Sequence, residues 1–349
     1  MNNRIFELDI LRGLTIALMI IVDSPPDIIY ETLTHAVWER IHMADTIFPS
    51  FVFVMGASAA ISVSKRTPSM TKIFRRTAIL FGIGILLNLF IQIRIDAEHL
   101  RFFGILQRLA LSYFFGMLIL LKLKDTAKIL LAAFLLLIIS SLGFHIYAPT
   151  APFDVANNIS HTIDYIFPGA DNMLTPKQEP EGLYGTMAST ASMLFGIVAG
   201  KFLIQNERQK LILYGAGLLV CGYFWSFFDI VIKQLWTAPF ALLNAGGDVL
   251  LLVALGILFE YLPRTKKYFC LFDSLGKNPI FFFVVLNMTL IFAFTEKIGE
   301  IPLWSWLYQN TFQGLINVEL STTLFCVVWC LMLMILAEFL NRHKIFIKF

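Results

Sequence analysis

Long apolar segments recur along the whole of this chain, and their length is the feature that most limits what it can fold into. A helix needs about 20 predominantly apolar residues to cross the roughly 30 Å of hydrocarbon in a bilayer. Only 15% of the residues are charged, whereas an average soluble domain carries about 25%. The pattern therefore predicts an all-α, polytopic membrane protein whose main solvent is the lipid bilayer.

Ten segments are long enough to span the membrane, some of them only with tilt, and they predict ten transmembrane helices. Their approximate limits are 10–24, 45–64, 77–94, 103–121, 126–147, 184–204, 210–231, 240–261, 277–295 and 319–341. The first has a short apolar part, so a cleaved signal peptide is the alternative explanation for it. The charges of Glu7, Asp9 and Arg12 and the lack of a small-residue cleavage site argue against that alternative.

Basic residues fall in alternate loops, and this sets the expected orientation. The loops after spans two, four, six and eight are rich in lysine and arginine, and the last span is followed by Arg342, Lys344 and Lys348. The opposite loops are acidic or neutral apart from isolated cations. Because cytoplasmic loops carry an excess of lysine and arginine, both termini are expected in the cytoplasm, with His35 on the far side of the membrane.

The longest loop between spans covers residues 148–183. It contains APTAPFD, NNIS, FPGADN and TPKQEPEG, and it is expected to be irregular rather than a folded domain. Loops of this length are commonly either functional lids or disordered segments. A single membrane domain over residues 1–349 is the expected organisation.

The four cysteines form no ligand pattern. Cys221, Cys270, Cys326 and Cys330 lie in or beside apolar runs and include no CxxC pair, so apolar packing accounts for them and no metal site is expected. The net charge of +3 gives no indication of a nucleic-acid partner, and none is expected.

Polar residues that membrane burial does not explain gather at the ends of several spans on the non-cytoplasmic side. They are Asp23, His35, Glu39, Arg40, His42, Asp45, Arg94, Asp96, Glu98, His99, Arg101, Gln107, Arg108, Glu179, Glu181, Thr186, Lys233 and Trp236. Ionisable groups in a membrane are costly unless paired or used, so their convergence predicts a catalytic or transport site. Taken singly, Asp45 can cap a helix and Arg101 can reach lipid headgroups. Gln107 and Arg108 lie deeper, and Arg108 is expected to have an acidic partner, either Glu181 or Asp45.

Several uncommon motifs follow one another in order along the chain. They are RIFELDILRGLTIALMIIV, HAVWERIHMADTIFPSFVFVMG, RFFGILQRLALSYF, EPEGLYGTMASTASMLFGIVAGK, IVIKQLWTAPFALLNAG and SLGKNPI. With them the chain resembles, over nearly its whole length, the heparan-α-glucosaminide N-acetyltransferase family of transmembrane acyltransferases and its bacterial relatives. The first matches the family's R-x-x-x-L-D-x-x-R-G pattern, and the second its H-A-x-W and A-D-x-x-F-P-x-F-x-F-x-x-G patterns.

The resemblance implies an activity and a place for it. It implies a protein of the bacterial inner membrane that moves acetyl from cytoplasmic acetyl-CoA to a glucosamine-type amino sugar on the periplasmic side. The histidine of H-A-x-W, His35, would be the catalytic residue, and Asp45 would belong to the same site. A histidine, with a pKa of about 6.5, can act as a general base or as the nucleophile that carries the acetyl group, and both remain open. Asp45 can hold the tautomer of the ring.

Further candidate residues concern the two substrates. The candidates for the sugar are Arg101, Gln107, Arg108, Glu181 and Trp38. Those for acetyl-CoA, the expected co-substrate, are Arg12, Lys277 and Asn278, with Arg4, Arg75 and Arg76 as further phosphate contacts. The CoA candidates carry less weight, because cytoplasmic cations follow from topology alone. The family resemblance also allows a homodimer, although no helix face indicates an interface.

One position departs from the family pattern, because Asp23 stands where the family has asparagine. Asparagine can donate a hydrogen bond to an oxyanion, whereas an ionised aspartate only accepts. Either Asp23 is protonated, or it holds the ammonium of the acceptor, or acetyl transfer is impaired.

This departure keeps other hypotheses open. The second is a carrier for N-acetylglucosamine or a related amino sugar that performs no chemistry, with Trp38 or Trp236 stacking on the sugar ring. A proton-coupled channel without sugar specificity is the third. An acyl-CoA site would distinguish the enzyme from the carrier.

Overall fold

The computed structural model describes residues 5–347. Arg4 and Lys348, which the sequence assigns to a CoA contact and to the cytoplasmic tail, lie outside this range. Within it the chain forms thirteen α-helices and one two-stranded hairpin, so the all-α prediction is confirmed.

The helices account for most of the described chain. In chain order they are α1 (Phe6–Asp23), α2 (Ile47–Lys65), α3 (Met70–Ile95), α4 (Ile105–Leu123), α5 (Thr126–Tyr147), α6 (Ile159–Asp164), α7 (Gly185–Gln205), α8 (Arg208–Trp225), α9 (Ala238–Tyr261), α10 (Cys270–Leu275), α11 (Pro279–Thr295), α12 (Leu303–Thr311) and α13 (Val318–Arg342). The strands β1 (Lys297–Ile298) and β2 (Ile301–Pro302) pair antiparallel. Single turns of 3-10 or π helix lie at Glu31–Leu33, Met43–Thr46, Tyr165–Gly169 and Ala170–Asn172, and a longer 3-10 helix spans Pro263–Phe269.

Within residues 5–347, ten of these helices have 17 residues or more, and each corresponds to one of the ten predicted segments. Seven of them are long and apolar enough to cross a membrane, namely α2, α3, α4, α5, α7, α9 and α13. The chain is therefore a multi-pass membrane protein. Helix α11 meets this criterion only together with the preceding segment Pro263–Leu275, from which it is bent by 65°. Ten crossings and cytoplasmic termini remain predictions.

The predicted end of the seventh segment, at residue 231, is wrong. Helix α8 ends at Trp225, six residues earlier. The carboxylate of Asp229 is buried and accepts hydrogen bonds from the Trp225 indole at 3.0 Å and from His145 at 2.8 Å. These bonds hold the chain in a turn, so the apolar residues that follow α8 do not extend it.

Helix α7 lies at the centre of the bundle and packs tightly on α2. A Cβ atom on Gly196 would lie 2.0 Å from the carbonyl oxygen of Phe53, and one on Gly56 would lie 2.0 Å from that of Met193. Small residues let membrane helices approach this closely, and close packing is what holds helices together in lipid. The contact fixes α2, whose first turn follows the histidine segment, against the middle of the bundle.

The long loop between α5 and α7 contains the short helix α6 and is anchored to its surroundings. The backbone N–H of Phe102 donates to the carbonyl of Asn172 at 2.9 Å, and Arg101 pairs with Glu179. Two side chains of the loop itself, Phe153 and Met173, are buried. The loop therefore covers one end of the bundle and brings residues 179–182 to it.

Candidate active site

A cavity of about 460 Å³ lies between α1, α2, α3, α4 and α11. Its two ends differ in charge. One end, called the His35 end below, carries Asp23, His35, Glu181 and Lys233. The opposite end, called the Arg12 end, carries Arg12, Arg76 and Lys277. Along α2 its lining extends from Ile47 to Ser62, which is roughly 22 Å at 1.5 Å per residue. Apolar side chains line the middle, so the cavity joins two polar ends through the bundle.

The imidazole of His35 is held by Asp45. Its Nδ1 lies 2.9 Å from Oδ1 of Asp45, whose side chain is fully buried. The other carboxylate oxygen accepts the backbone N–H groups of Ala36 at 3.1 Å and His42 at 3.0 Å. Because an ionised carboxylate only accepts, the tautomer that satisfies this contact carries its proton on Nδ1. This tautomer leaves Nε2 as the basic atom of the ring.

Asp23 ends α1 beside the same ring. Its Oδ1 lies 3.9 Å from Nε2 of His35. Burial alone would lower the pKa of His35, but the interactions with Asp23 and Asp45 outweigh it and raise this pKa above the usual value of about 6.5. The ring therefore holds a proton more firmly than a free histidine, and it must lose that proton to act as a base or a nucleophile.

Lys233 belongs to this site, although the sequence prediction did not include it among the site residues. Its Nζ lies 2.9 Å from Nδ1 of His35 and 3.2 Å from Oδ1 of Asp45. The ammonium of Lys233 thus contacts the ring nitrogen and forms an ion pair with the carboxylate that holds the ring. The neighbouring Gln234 donates to the carbonyl of Ala36 at 2.9 Å and ties the α8–α9 loop to the histidine segment. The sequence did contain one signal for Lys233: it is an isolated lysine in a loop on the side of the membrane that carries few cations.

Arg101 joins the two glutamates of the EPEG segment. Its Nε donates to Glu179 at 3.0 Å, and its guanidinium also pairs with Glu181. Burial raises the pKa of Glu179. Burial also acts to raise the pKa of Glu181, but the positive charges of Arg101 and Arg108 outweigh this effect and lower the pKa of Glu181. Glu181 lines the cavity and Arg101 does not. Arg101 therefore positions Glu181 from outside the lining, and its contact with a sugar stays a prediction.

Arg108 and Gln107 also lie outside the cavity lining, and their contact with a sugar stays a prediction. Among the described residues Arg108 forms no ion pair within 4 Å, but its charge acts on Glu181, one of its two predicted partners. Its Nη2 donates to the carbonyl of Gly182 at 2.9 Å, and its guanidinium stands 5.3 Å from the centre of the Trp236 ring. Gln107 donates to the carbonyl of Phe102 at 3.1 Å. Both side chains hold the start of α4 against the loops around it.

The tryptophans proposed for ring stacking face away from the cavity. The indole of Trp38 donates to the carbonyl of Phe153 at 3.0 Å, under the long loop. Trp236 is 1% exposed, and its indole donates to the hydroxyl of Ser192 at 3.0 Å. Each indole N–H is satisfied by the protein. Stacking of Trp38 or Trp236 on a sugar is therefore not supported.

Two of the three predicted CoA contacts line the Arg12 end. Arg12 donates to Asp9 at 2.9 Å and to Ser58 at 2.6 Å. Lys277 lies 2.6 Å from the carboxylate of Asp273. Both therefore present a partly neutralised charge to the cavity.

The third predicted CoA contact, Asn278, does not line the cavity, and its contact with CoA stays a prediction. Its side chain donates to the carbonyl of Ile345 at 3.0 Å and accepts the N–H of Ile347 at 2.9 Å. Asn278 thus fastens the end of the chain to the start of α11, and Ile347 itself contributes to the lining.

Arg76 gives the Arg12 end an additional cation. Its guanidinium lies 4.6 Å from the centre of the Tyr113 ring, and both residues line the cavity. Its Nε is buried without a hydrogen-bond partner. A buried donor without an acceptor is costly, so Arg76 is suited to an anionic ligand.

Comparison with known proteins supports the family indicated by the motifs. A family model described as "Heparan-alpha-glucosaminide N-acetyltransferase, catalytic" matches residues 4–221, well over half of the chain. The chain belongs to this family. The matched range includes Asp23, His35, Asp45 and Glu181, so most of the His35 end lies inside it. Lys233 and Lys277 come after residue 221 and lie outside the matched range.

Two curated members of the acetyltransferase family are similar to part of the chain. The heparan-alpha-glucosaminide N-acetyltransferase of Mus musculus is 31% identical over 122 residues, and that of Homo sapiens is 31% identical over 121 residues. In both cases the match covers 32% of this chain and 18% of the relative. The aligned part is thus less than a fifth of the length of either relative.

Proposed function

We propose that this chain transfers acetyl from acetyl-CoA, bound from the Arg12 end, to the amino group of a glucosamine-type sugar at the His35 end. The observation that carries the proposal is the cavity that joins these two ends through the bundle. A donor that must stay on one side of a membrane and an acceptor on the other need such a passage. Membership of the acetyltransferase family supplies the reaction class.

The Arg12 end has the chemistry that CoA requires. Arg76, Arg12 and Lys277 would face its phosphates, and the unpartnered Nε of Arg76 would gain an acceptor. The middle of the cavity is lined by side chains such as Met55, Leu109 and Phe283, against which the long, flexible arm of CoA would lie. This arrangement would deliver the thioester toward His35.

At the His35 end the acids would attract the ammonium of the sugar. Nε2 of His35 would take one proton from it, and the free amine would attack the thioester carbonyl. Collapse of the tetrahedral intermediate leaves the new amide bond and breaks the carbon–sulfur bond. The departing thiolate takes the proton held by His35, and the amide nitrogen releases its second ammonium-derived proton to solvent. Asp45 would stabilise the imidazolium formed on the way. Attack by Nε2 itself, giving an acetyl-imidazole before the amine attacks, uses the same atoms.

Asp23 and Lys233 then divide two tasks. The carboxylate of Asp23 would hold the ammonium before it loses a proton. Lys233 is the one cation among the described lining residues of the His35 end, and it lies 3.2 Å from Asp45. Its ammonium can offset the negative charge on the oxyanion of the tetrahedral intermediate. Lys233 thereby supplies the hydrogen-bond donor to the oxyanion that the carboxylate of Asp23 does not.

The test measures CoA release by the purified protein in detergent with acetyl-CoA and glucosamine. We expect release that depends on the sugar and is absent with N-acetylglucosamine, whose nitrogen is already acylated. His35→Ala should reduce the rate by at least about 10²-fold, the lower range for a general acid–base residue. The matched control is His42→Ala, because His42 bonds the carbonyl of Thr34 through its ring and does not line the cavity.

An amino-sugar carrier is the second candidate, and Asp23 favours it because a carboxylate binds an ammonium without assisting acyl transfer. Saturable binding of glucosamine without any release of CoA would support the carrier and contradict the enzyme. Equal CoA release by the His35→Ala and wild-type proteins would remove His35 from the mechanism.

A further inference from the structure

A second cavity, of about 270 Å³, lies between α1, α2 and α9. It adjoins the first cavity at Ile47, which lines both, but α1 presents different faces to the two. Arg12, Met19 and Asp23 face the first cavity, whereas the second is lined on α1 by Leu11, Leu14, Thr15 and Leu18. On α9 its lining includes Gly247 and Leu251, which are exposed on the outside of the bundle. The second cavity is thus reached from the lipid-facing side.

Two oxygen atoms with no partner lie on the α9 side of this cavity. Asp248 is 6% exposed; its Oδ1 accepts from the hydroxyl of Ser50 at 2.6 Å, and its Oδ2 has no hydrogen-bond partner. Asn244, one helical turn earlier, is 7% exposed; its amide nitrogen donates to the carbonyl of Phe240 at 2.8 Å, and its Oδ1 has no partner. Residues four apart on a helix share a face, so both oxygens are available to one ligand.

The remaining lining shows what such a ligand must supply. None of the described lining residues is a lysine, arginine or histidine, and most are leucine or isoleucine. A carboxylate inside a membrane is costly without a partner. An ionised carboxylate and an amide oxygen only accept hydrogen bonds, so the complementary group carries several donors and a positive charge. The aliphatic part of the lining suits a hydrocarbon chain. The three hydroxyls of the lining, on Thr15, Thr46 and Ser50, already donate to groups of the protein.

We infer that the second cavity binds an amphiphilic primary amine that enters from the lipid. Its ammonium donates to Oδ2 of Asp248 and Oδ1 of Asn244, and its chain lies along Leu14, Leu18 and Leu251. This binding is independent of acetyl transfer and does not rest on it.

The test uses n-octylamine as the probe and the purified full chain in an uncharged detergent, with binding measured by isothermal titration calorimetry. We expect saturable binding of n-octylamine and at least tenfold weaker binding of n-octanol, which has the same chain and no charge. Asp248→Asn should weaken n-octylamine binding by roughly tenfold or more, as expected for loss of a charged hydrogen bond. Sugar-dependent CoA release is not part of this readout.

A matched pair of variants separates ligand binding from folding. Asn244 and Asn287 each donate their amide to the carbonyl four residues earlier, at 2.8 and 2.9 Å, but only Asn244 lines the cavity. Asn244→Leu should weaken n-octylamine binding, and Asn287→Leu should leave it unchanged. Equal binding of n-octanol, or equal n-octylamine binding by the wild-type, Asp248→Asn and Asn244→Leu proteins, would overturn the inference.

Discussion

At the scale of single residues, the chemistry of His35 depends on the charges around its ring. Asp45 and Asp23 favour the protonated ring, and Lys233 at 2.9 Å from Nδ1 disfavours it. Only the neutral ring can take a proton from the sugar. These opposing neighbours therefore set the pH below which the reaction slows.

The pH profile of kcat/KM should respond to each neighbour in a defined direction. Because the pKa of His35 is raised, the acid limb of the wild-type profile should lie above pH 6.5. Asp45→Asn removes a negative charge, so its limb should move to lower pH, and the rate should also fall because the ring loses its orientation. Lys233→Met removes a positive charge, so its limb should move to higher pH. The amino group of the sugar titrates at the same pH in all three assays, so it does not account for a difference between them. Acid limbs that coincide in the wild-type, Asp45→Asn and Lys233→Met profiles would contradict the assignment of His35 as the base.

Asp164, in the loop that covers the His35 end, should make stability depend on pH. Burial raises its pKa to about 7, whereas an unfolded aspartate titrates near 3.9. Between these values the folded state binds a proton that the unfolded state releases, so the free energy of unfolding falls as pH rises. Asp164→Asn should reduce the loss of thermal midpoint between pH 5 and pH 8, because asparagine does not ionise.

The matched control for that measurement is Asp171→Asn, an exposed aspartate of the same loop. It should keep the wild-type dependence of the thermal midpoint on pH. Identical slopes for the wild-type and Asp164→Asn proteins would show that Asp164 is ionised throughout this range.

Motifs were more informative about the residues of the site than about the direction in which side chains point. His35, Asp45, Asp23 and Glu181 were selected from the sequence, and the structure brings them together. Arg101, Arg108 and Trp38 were selected by the same reasoning, yet they contact other protein groups. Whether a polar side chain faces a cavity depends on the neighbouring elements, and residues such as Gly182 and Phe153 are distant in sequence from the side chains they bind.

At the scale of elements, the contact between α2 and α7 fixes the wall of the cavity. Gly196→Ala would place a Cβ 2.0 Å from the backbone oxygen of Phe53. The helices must separate to admit it, and overpacking of this kind costs about 1–3 kcal/mol. We expect a clear drop in the thermal midpoint of unfolding. Gly217→Ala on α8, where a Cβ meets no atom within 4 Å, should leave the midpoint nearly unchanged. Equal effects of the two variants would contradict this packing.

At the scale of the whole molecule, the open prediction is orientation. The alternating basic loops place the loop between α2 and α3 in the cytoplasm and the long loop outside. In a protein with its four cysteines replaced, a cysteine at the exposed position Thr67 should resist an impermeant thiol reagent in intact cells. One at the exposed position Lys177 should react. The reverse pattern would invert the proposed direction of acetyl transfer.

The sequence by itself determined the class of protein, the approximate positions of the long helices and the family. These depend on local properties: apolar length, charge between spans and motif order are all read along the chain. The tertiary structure decided which polar groups share a cavity. Lys233 lies 198 residues from His35, and Asp248 lies 198 residues from Ser50. Such pairs form only when helices pack, because packing brings distant positions within hydrogen-bonding distance and sets which helix faces enclose space.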